Sequence, residues 1–174
     1  VYEEFVMRAY LDIETTLDQR ISVIGIYRAD HGTTQLIDGG INDINLYAAL
    51  ADVQTLVTFN GSGFDLPVIR QRLRVNLLHD FTHSDLMYVC RKRGLKGGLK
   101  RIESMVGIAR TTSGMSGFDA PRLWRRYEDG HDQQALELLL QYNQEDIINL
   151  SVIEAHLGII EHSPTNLAVR RVFV

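Results

Sequence analysis

From Val6 to Glu14 apolar and polar positions alternate, with Met7, Ala9, Leu11 and Ile13 on one side and Arg8, Tyr10, Asp12 and Glu14 on the other. Period-2 alternation of this kind predicts a strand. Ile21 to Tyr27 is rich in β-branched residues, and Thr33 to Ile37 follows a His31-Gly32 turn, so both predict strands that form an antiparallel meander with the first. Ile44, Tyr47 and Ala48 have helical spacing and lead into Thr55 to Phe59, too short for a helix and suited to a fourth strand. Asn60-Gly61-Ser62-Gly63 is turn chemistry, and Asp65-Leu66-Pro67 opens a helix that the pattern carries to Leu73. A short strand is expected over Phe81 to Asp85 and a helix over Leu86 to Arg93. After the breaks at Gly94, Gly97 and Gly98, helical spacing resumes at Leu99, Ile102 and Val106. Thr111 to Gly117 reads as a loop, Asp119-Ala120-Pro121 as a helix start, and Asp132 to about Ile160 as helix with at most one bend. A meander followed by β-α alternation predicts an α/β fold with a mixed sheet flanked by helices.

Composition narrows the class without changing that picture. The chain has 174 residues, 45% hydrophobic and 23% charged, with a formal net charge of -4. These values suit one domain spanning residues 1–174 and exclude collagen, coiled-coil and disordered readings. A single cysteine, Cys90, rules out a disulfide framework and a cysteine-built metal site and points to a reducing compartment, with the cytoplasm expected. Apolar runs such as Ile24 to Tyr27 and Leu138 to Leu140 fall far short of the roughly 18 residues a membrane span needs. The opening Val1-Tyr2-Glu3-Glu4-Phe5 is acidic where a secretory signal is basic. It starts without methionine, which leaves open whether a stretch upstream of Val1 is missing.

Carboxylates supply the candidate chemistry. Asp12 and Glu14 lie two apart on the first strand, hence on one face with Cα atoms about 6.6 Å apart, a spacing at which two carboxylates can converge on a hard cation. Their neighbours Tyr10, Leu11 and Ile13 are built for burial, where unpaired carboxylates are costly. Asp65 follows a strand end and a glycine turn, at the sheet edge where α/β folds bind ligands, although the same position suits a helix cap. Tyr142 and Asp146 are four apart and share a helical face at the edge of the stripe formed by Leu138, Leu139, Ile147, Leu150 and Ile153.

Taken together, Asp12-Ile13-Glu14, Asn60-Gly61-Ser62-Gly63-Phe64-Asp65 and Tyr142-Asn143-Gln144-Glu145-Asp146 resemble, in order, the D-x-E, N-x-x-x-[FY]-D and Y-x-x-x-D motifs of the DEDDy 3'-5' exonucleases. Leu99-Lys100-Arg101-Ile102-Glu103 and Ala120-Pro121-Arg122-Leu123-Trp124 add a likeness to the YprB-type branch of predicted nucleases, over essentially the whole chain. The resemblance implies a ribonuclease-H-like five-stranded sheet in order 3-2-1-4-5 with strand 2 antiparallel. It implies that Asp12, Glu14 and Asp146 hold two divalent cations, with Asp65 acting mainly through coordinated water. Oxygen-only ligands favour magnesium or manganese. One ion would activate a water, the other would neutralise the leaving 3'-oxygen, and Tyr142 would orient the attacking water. Asn60 would approach the terminal sugar and Phe64 the last base, with nucleoside 5'-monophosphates as products. The implied partner is a single-stranded DNA or RNA end, with no membrane, and protein partners are left open.

Charge is unevenly spread. Arg91, Lys92, Arg93, Lys96, Lys100 and Arg101 put six of the 18 basic residues in one eleven-residue stretch, a candidate phosphate-binding surface. Arg122, Arg125 and Arg126 form a second cluster next to Trp124 and Tyr127, and the alternative reading of both clusters is a solvated helix face. His79 and His83 lack a third ligand for zinc. Asp85 suits a helix cap, and Cys90 a buried site. Two rivals share the expected fold: an endonuclease acting like ribonuclease H, against which Tyr142 argues, and a non-catalytic nucleic-acid-binding module, against which the complete set of acids argues.

Overall fold

In the computed structural model, which describes residues 6–161 and 166–173, the first alternating segment forms β1 (Arg8–Thr15). It pairs antiparallel with β2 (Ile21–Arg28), which pairs antiparallel with β3 (Gly32–Ile37), so the predicted meander is present. A short 3-10 turn then leads to α1 (Asp43–Ala49), whose first turn is capped by the Asn42 side chain accepting from Asn45 N at 2.9 Å. β4 (Thr55–Thr58) lies parallel to β1, and α2 (Asp65–Leu73) ends where Arg74 turns left-handed at φ 59°. A four-residue helix that the pattern did not announce, α3 (Leu77–Asp80), precedes β5 (Thr82–Asp85), which runs parallel to β4. The remaining helices are α4 (Leu86–Lys92), α5 (Leu99–Met105), α6 (Ala120–Gly130), with Pro121 in its first turn, and α7 (Gln133–His156).

The sheet order is β5-β4-β1-β2-β3-β6. The expected order 3-2-1-4-5 with an antiparallel second strand is therefore embedded in the sheet, but the expected count of five strands is corrected to six among the described residues. β6 (Val169–Val172) adds parallel to β3. Its apolar residues stand three apart around two arginines, a pattern that carries no period-2 signal. The acidic opening, residues 1–5, lies outside the described residues.

Alternation on the central strands sorts two faces. Ala9, Leu11 and Ile13 of β1 join Ile24, Ile26 and Leu36 against Leu46 of α1 and Leu66 and Ile69 of α2. On the other face Tyr10, Tyr27 and Val57 pack on Leu86, Ile102 and the second half of α7 through Ile147, Leu150 and Ile153. Val23 and Ile37 pack on Leu123 and Trp124 of α6 and on Leu136, Leu139 and Leu140 of α7. α7 thus crosses the middle of the sheet, over the strand that carries Asp12 and Glu14. The crossing is close at Gly25, the β2 partner of Asp12, because a Cβ there would overlap the side chain of Asn143. At the far end of α7 the buried Glu154 accepts from Tyr10 Oη at 2.9 Å and pairs with Arg8 at 3.2 Å.

Candidate active site

Because β1 alternates, the face that carries Tyr10 into the core also carries Asp12 and Glu14, and α7 lays Tyr142 and Asp146 against them. Asp12, Glu14 and Asp146 each offer an oxygen within 4.8 Å of the others. Asp12 is held by Asn143, whose amide donates to Asp12 Oδ2 at 3.2 Å and accepts from Gln35 at 3.1 Å. Glu14 is 6% exposed and its Oε1 is buried without a hydrogen-bond partner.

Asp65 reaches the site by a different route. β4 pairs with β1 only as far as Tyr10, and the Ile13 N–H beyond that point is taken by Asp65 Oδ1 at 3.0 Å. Asp65 is the first residue of α2, and its carboxylate accepts from its own N–H at the helix start as well as from Ile13 N, so it joins the helix end to β1. It lines the same cavity but stands outside the group of three. Asp85 does cap α4, accepting from Met87 N at 3.1 Å. It also accepts from Asn60 N at 2.7 Å and Ser62 Oγ at 2.7 Å, which fixes the turn where Asn60 sits left-handed at φ 61°.

The four acids line a cavity of about 340 Å³ with Tyr142, Asn60 and Phe64, so the structure brings together all seven residues of the three motif segments named as candidates. Phe64 is 40% exposed and faces this cavity, outside the core clusters. The basic candidates divide. Lys100 and Arg101 line a groove of about 280 Å³ that shares Gly117, Tyr142 and Asp146 with the acidic cavity. Arg93 instead donates to the Leu157 carbonyl at the end of α7, and Arg91 stacks over Tyr88, 5.8 Å from the ring centre. Lys92 and Lys96 are exposed and line neither space. The second cluster is locally neutralised: Arg122, Arg125 and Arg126 pair with Asp119, Asp129 and Asp132. His79 pairs with Asp80 and His83 with Thr58 Oγ1, and Cys90 is buried.

Crowding sets the electrostatics. Burial, reinforced by Asp65, Asp146 and Glu14, pushes the Asp12 carboxyl well above the usual range, and burial with Asp146 and Asp65 does the same to Glu14. Burial raises Asp65 to about 7, and raises Asp146 to about 6 against the pull of Arg110. Several buried carboxylates, with Glu14 Oε1 and Asp146 Oδ1 both lacking a hydrogen bond, are stable together when a divalent cation neutralises them. The donors are all oxygens, which suits magnesium or manganese more than zinc. The residues present therefore fit such ions. Burial and the three nearby acids likewise push the Tyr142 phenol above its ordinary value of 10.0. Its hydroxyl accepts from Lys100 Nζ at 2.8 Å, and the same ammonium, which also reaches the Met115 carbonyl, lies 4.3 Å from the ring centre.

Sequence reasoning missed Asn143, Glu103 and Arg110. Arg110 leaves a loop to place Nη1 2.6 Å from Asp146 Oδ1, while donating to both oxygens of the buried Glu103 at 2.8 and 3.0 Å. Asn143 lies inside the Tyr142 to Asp146 segment, and glutamate seven before arginine across a helix end carries no recognised pattern.

Comparison with known proteins adds lineage to this geometry. The RNase_H superfamily model matches residues 9–158. The uncharacterised protein YprB of Bacillus subtilis is 28% identical over 132 residues, 67% of this chain and 31% of YprB. The family B DNA polymerase of the archaeon Pyrobaculum calidifontis superposes on 88% of this chain with a TM-score of 0.66, at 16% identity and over 24% of the polymerase chain, a likeness of fold. The chain thus spans about a third of YprB and a quarter of the polymerase. Among the described residues no helix is long and apolar enough to cross a membrane.

Proposed function

Because the chain belongs to the RNase H superfamily, we propose that it is a metal-dependent 3'-5' exonuclease of the DEDDy type, removing nucleoside 5'-monophosphates from single-stranded DNA or RNA ends. One observation carries the reading: Asp12, Glu14 and Asp146 converge within 4.8 Å around an unpartnered glutamate oxygen, in a cavity that Asp65 and Tyr142 also line. A fold-keeping binding module has no need of that costly crowding.

Asp12, Glu14 and Asp146 would hold two magnesium or manganese ions, with Asp65 contributing through water because its Oδ1 is engaged by Ile13 N. Bound there, the ions would supply a nucleophilic water at neutral pH and charge neutralisation at the leaving 3'-oxygen. Since the Tyr142 hydroxyl accepts from Lys100, its own proton is left to donate to an attacking water. Its raised pKa keeps that proton in place, so Tyr142 positions the water and does not deprotonate it. The half-exposed Phe64 offers a face on which a terminal base can stack, and Asn60 an amide for the sugar. Lys100 and Arg101, in the adjoining groove, would meet the phosphates that follow. A single catalytic domain working in the cytoplasm agrees with one buried thiol and one continuous sheet.

The test is digestion of a 5'-labelled single strand with magnesium or manganese, alongside a 3'-blocked strand and a circular one. Stepwise shortening of the free-ended strand alone is expected. Cutting of the circle or of an RNA–DNA hybrid would favour an endonuclease, and no metal-dependent release from any strand would favour a binding module.

A further inference from the structure

The buried cation beneath the acidic cavity has no role in the chemistry above, yet it touches one of the proposed ligands. Arg110 is 7% exposed at its side chain and Glu103 is 1% exposed. Arg110 Nη1 donates to both Glu103 oxygens and lies 2.6 Å from Asp146 Oδ1, while Nη2 reaches the Tyr142 carbonyl at 3.4 Å. Asn149, one turn further along α7, donates to Glu103 Oε1 at 2.8 Å. The two residues after Arg110 complete the attachment, since the Glu145 carboxylate accepts from Thr111 N at 2.8 Å, from Thr112 N at 3.2 Å and from both threonine hydroxyls. The helical turn bearing Tyr142 and Asp146 is thus clasped from below by residues 110–112.

We propose that Arg110, anchored by Glu103, is the positioning residue for Asp146: it pins Oδ1 of that carboxylate so that Oδ2 is presented to the ions shared with Asp12 and Glu14. Oδ1 of Asp146 is buried and makes no hydrogen bond, so its close partner is the Arg110 cation at 2.6 Å, and a carboxylate with one oxygen held in an ion pair has lost the rotation that would otherwise be lost on metal binding. The inference rests on the metal-dependent reading of the site.

Charge alone predicts the opposite effect, because a positive group this near should repel a second cation. The contact of Nη1 with both Glu103 oxygens offsets part of that charge, so removing the pair together takes away an anchor and less field than removing Arg110 alone. Two variants separate these effects. Arg110→Gln leaves the Glu103 charge buried with no cation beside it and only the Asn149 amide to bond it. The double variant R110M/E103M removes both charges in favour of apolar side chains of similar reach, a replacement that buried ion pairs commonly tolerate without loss of stability.

The experiment is calorimetric titration of the full chain with manganese, with circular dichroism to verify the fold. Wild type is expected to take up manganese, and R110M/E103M to bind it about 10–100-fold more weakly, the cost typical of losing a group that orients a ligand. Arg110→Lys, which keeps a single contact, should fall between the two. Unchanged or tighter binding by the folded double variant overturns the proposal while leaving the metal site standing. No uptake by wild type overturns both.

Discussion

Replacing Glu14 by glutamine removes one charge from the acidic group while preserving its shape, and its effect on stability can be bounded. With oxygens at 4.8 Å and an effective dielectric of about 20, each pair of full charges repels by about 3.5 kcal/mol, so Glu14, facing two partners, accounts for about 7 kcal/mol of gross repulsion. The cation-free protein avoids most of this by taking up a proton. From the ordinary glutamate value of 4.5, protonation at pH 7 costs about 3.4 kcal/mol, which is the ceiling on what glutamine can recover. At pH 5.5 the ceiling is about 1.4 kcal/mol. The sign follows from the raised pKa values. Between about 4 and the raised folded values, about 7 for Asp65 and about 6 for Asp146, the native state holds protons that the unfolded chain has lost. Cation-free stability therefore falls as pH rises through that window. In thermal unfolding with chelator, Glu14→Gln should raise the Tm at pH 7 by up to about 7–14 °C, at 2–4 °C per kcal/mol for a chain of this size, and by less than half as much at pH 5.5. Manganese should stabilise wild type and leave the variant nearly unmoved. A destabilised variant, or an equal gain at both pH values, would refute the crowding argument.

Asp12→Ala and Asp146→Asn should each abolish hydrolysis while leaving circular dichroism unchanged; wild-type turnover by either, assayed with magnesium or manganese, would remove those carboxylates from the chemistry. Tyr142→Phe should slow release by about 10²-fold with manganese uptake retained in the same titration, since it loses a water-orienting hydroxyl and no ligand. Gly25→Ala should cost about 1–3 kcal/mol in chemical denaturation and depress activity, because its methyl group would displace the Asn143 amide that holds Asp12. A fully stable, active Gly25→Ala would mean that α7 does not approach β2 as closely as described.

What could be read from the chain follows the range over which each signal acts. Alternation within β1 is local, so Asp12 and Glu14 could be assigned to one face, and the spacing of Tyr142 and Asp146 to one helical face. Their meeting depended on the likeness of three ordered motifs, because nothing in either segment specifies that α7 crosses β1. Gly25 could be read only as a glycine inside a strand; its reason is the amide of Asn143, more than a hundred residues away. Asp65 was open between cap and site because both uses want an acid before a helix; the sequence could not show that β4 parts early from β1, leaving Ile13 N for the Asp65 carboxylate to accept from at the cavity wall. The basic stretch of residues 91–101 was uniform in sequence but is split in space, since α4 turns Arg93 toward the end of α7 while α5 brings Lys100 to Tyr142. Arg110 sits in a segment with no periodicity at all, and a charge in a loop reads as solvated until its burial is known.

The added strand β6 also has a bearing on how copies of this chain behave beside one another. By covering β3 it leaves the outermost positions of the sheet, among the described residues, to the two four-residue strands Thr82–Asp85 and Val169–Val172. One ends on an aspartate that is already engaged, and the other carries paired arginines at its centre. Brief, hydrophilic margins offer little template for a neighbour's backbone, so the long apolar strands at the centre are sealed from both flanks against intermolecular sheet extension and aggregation.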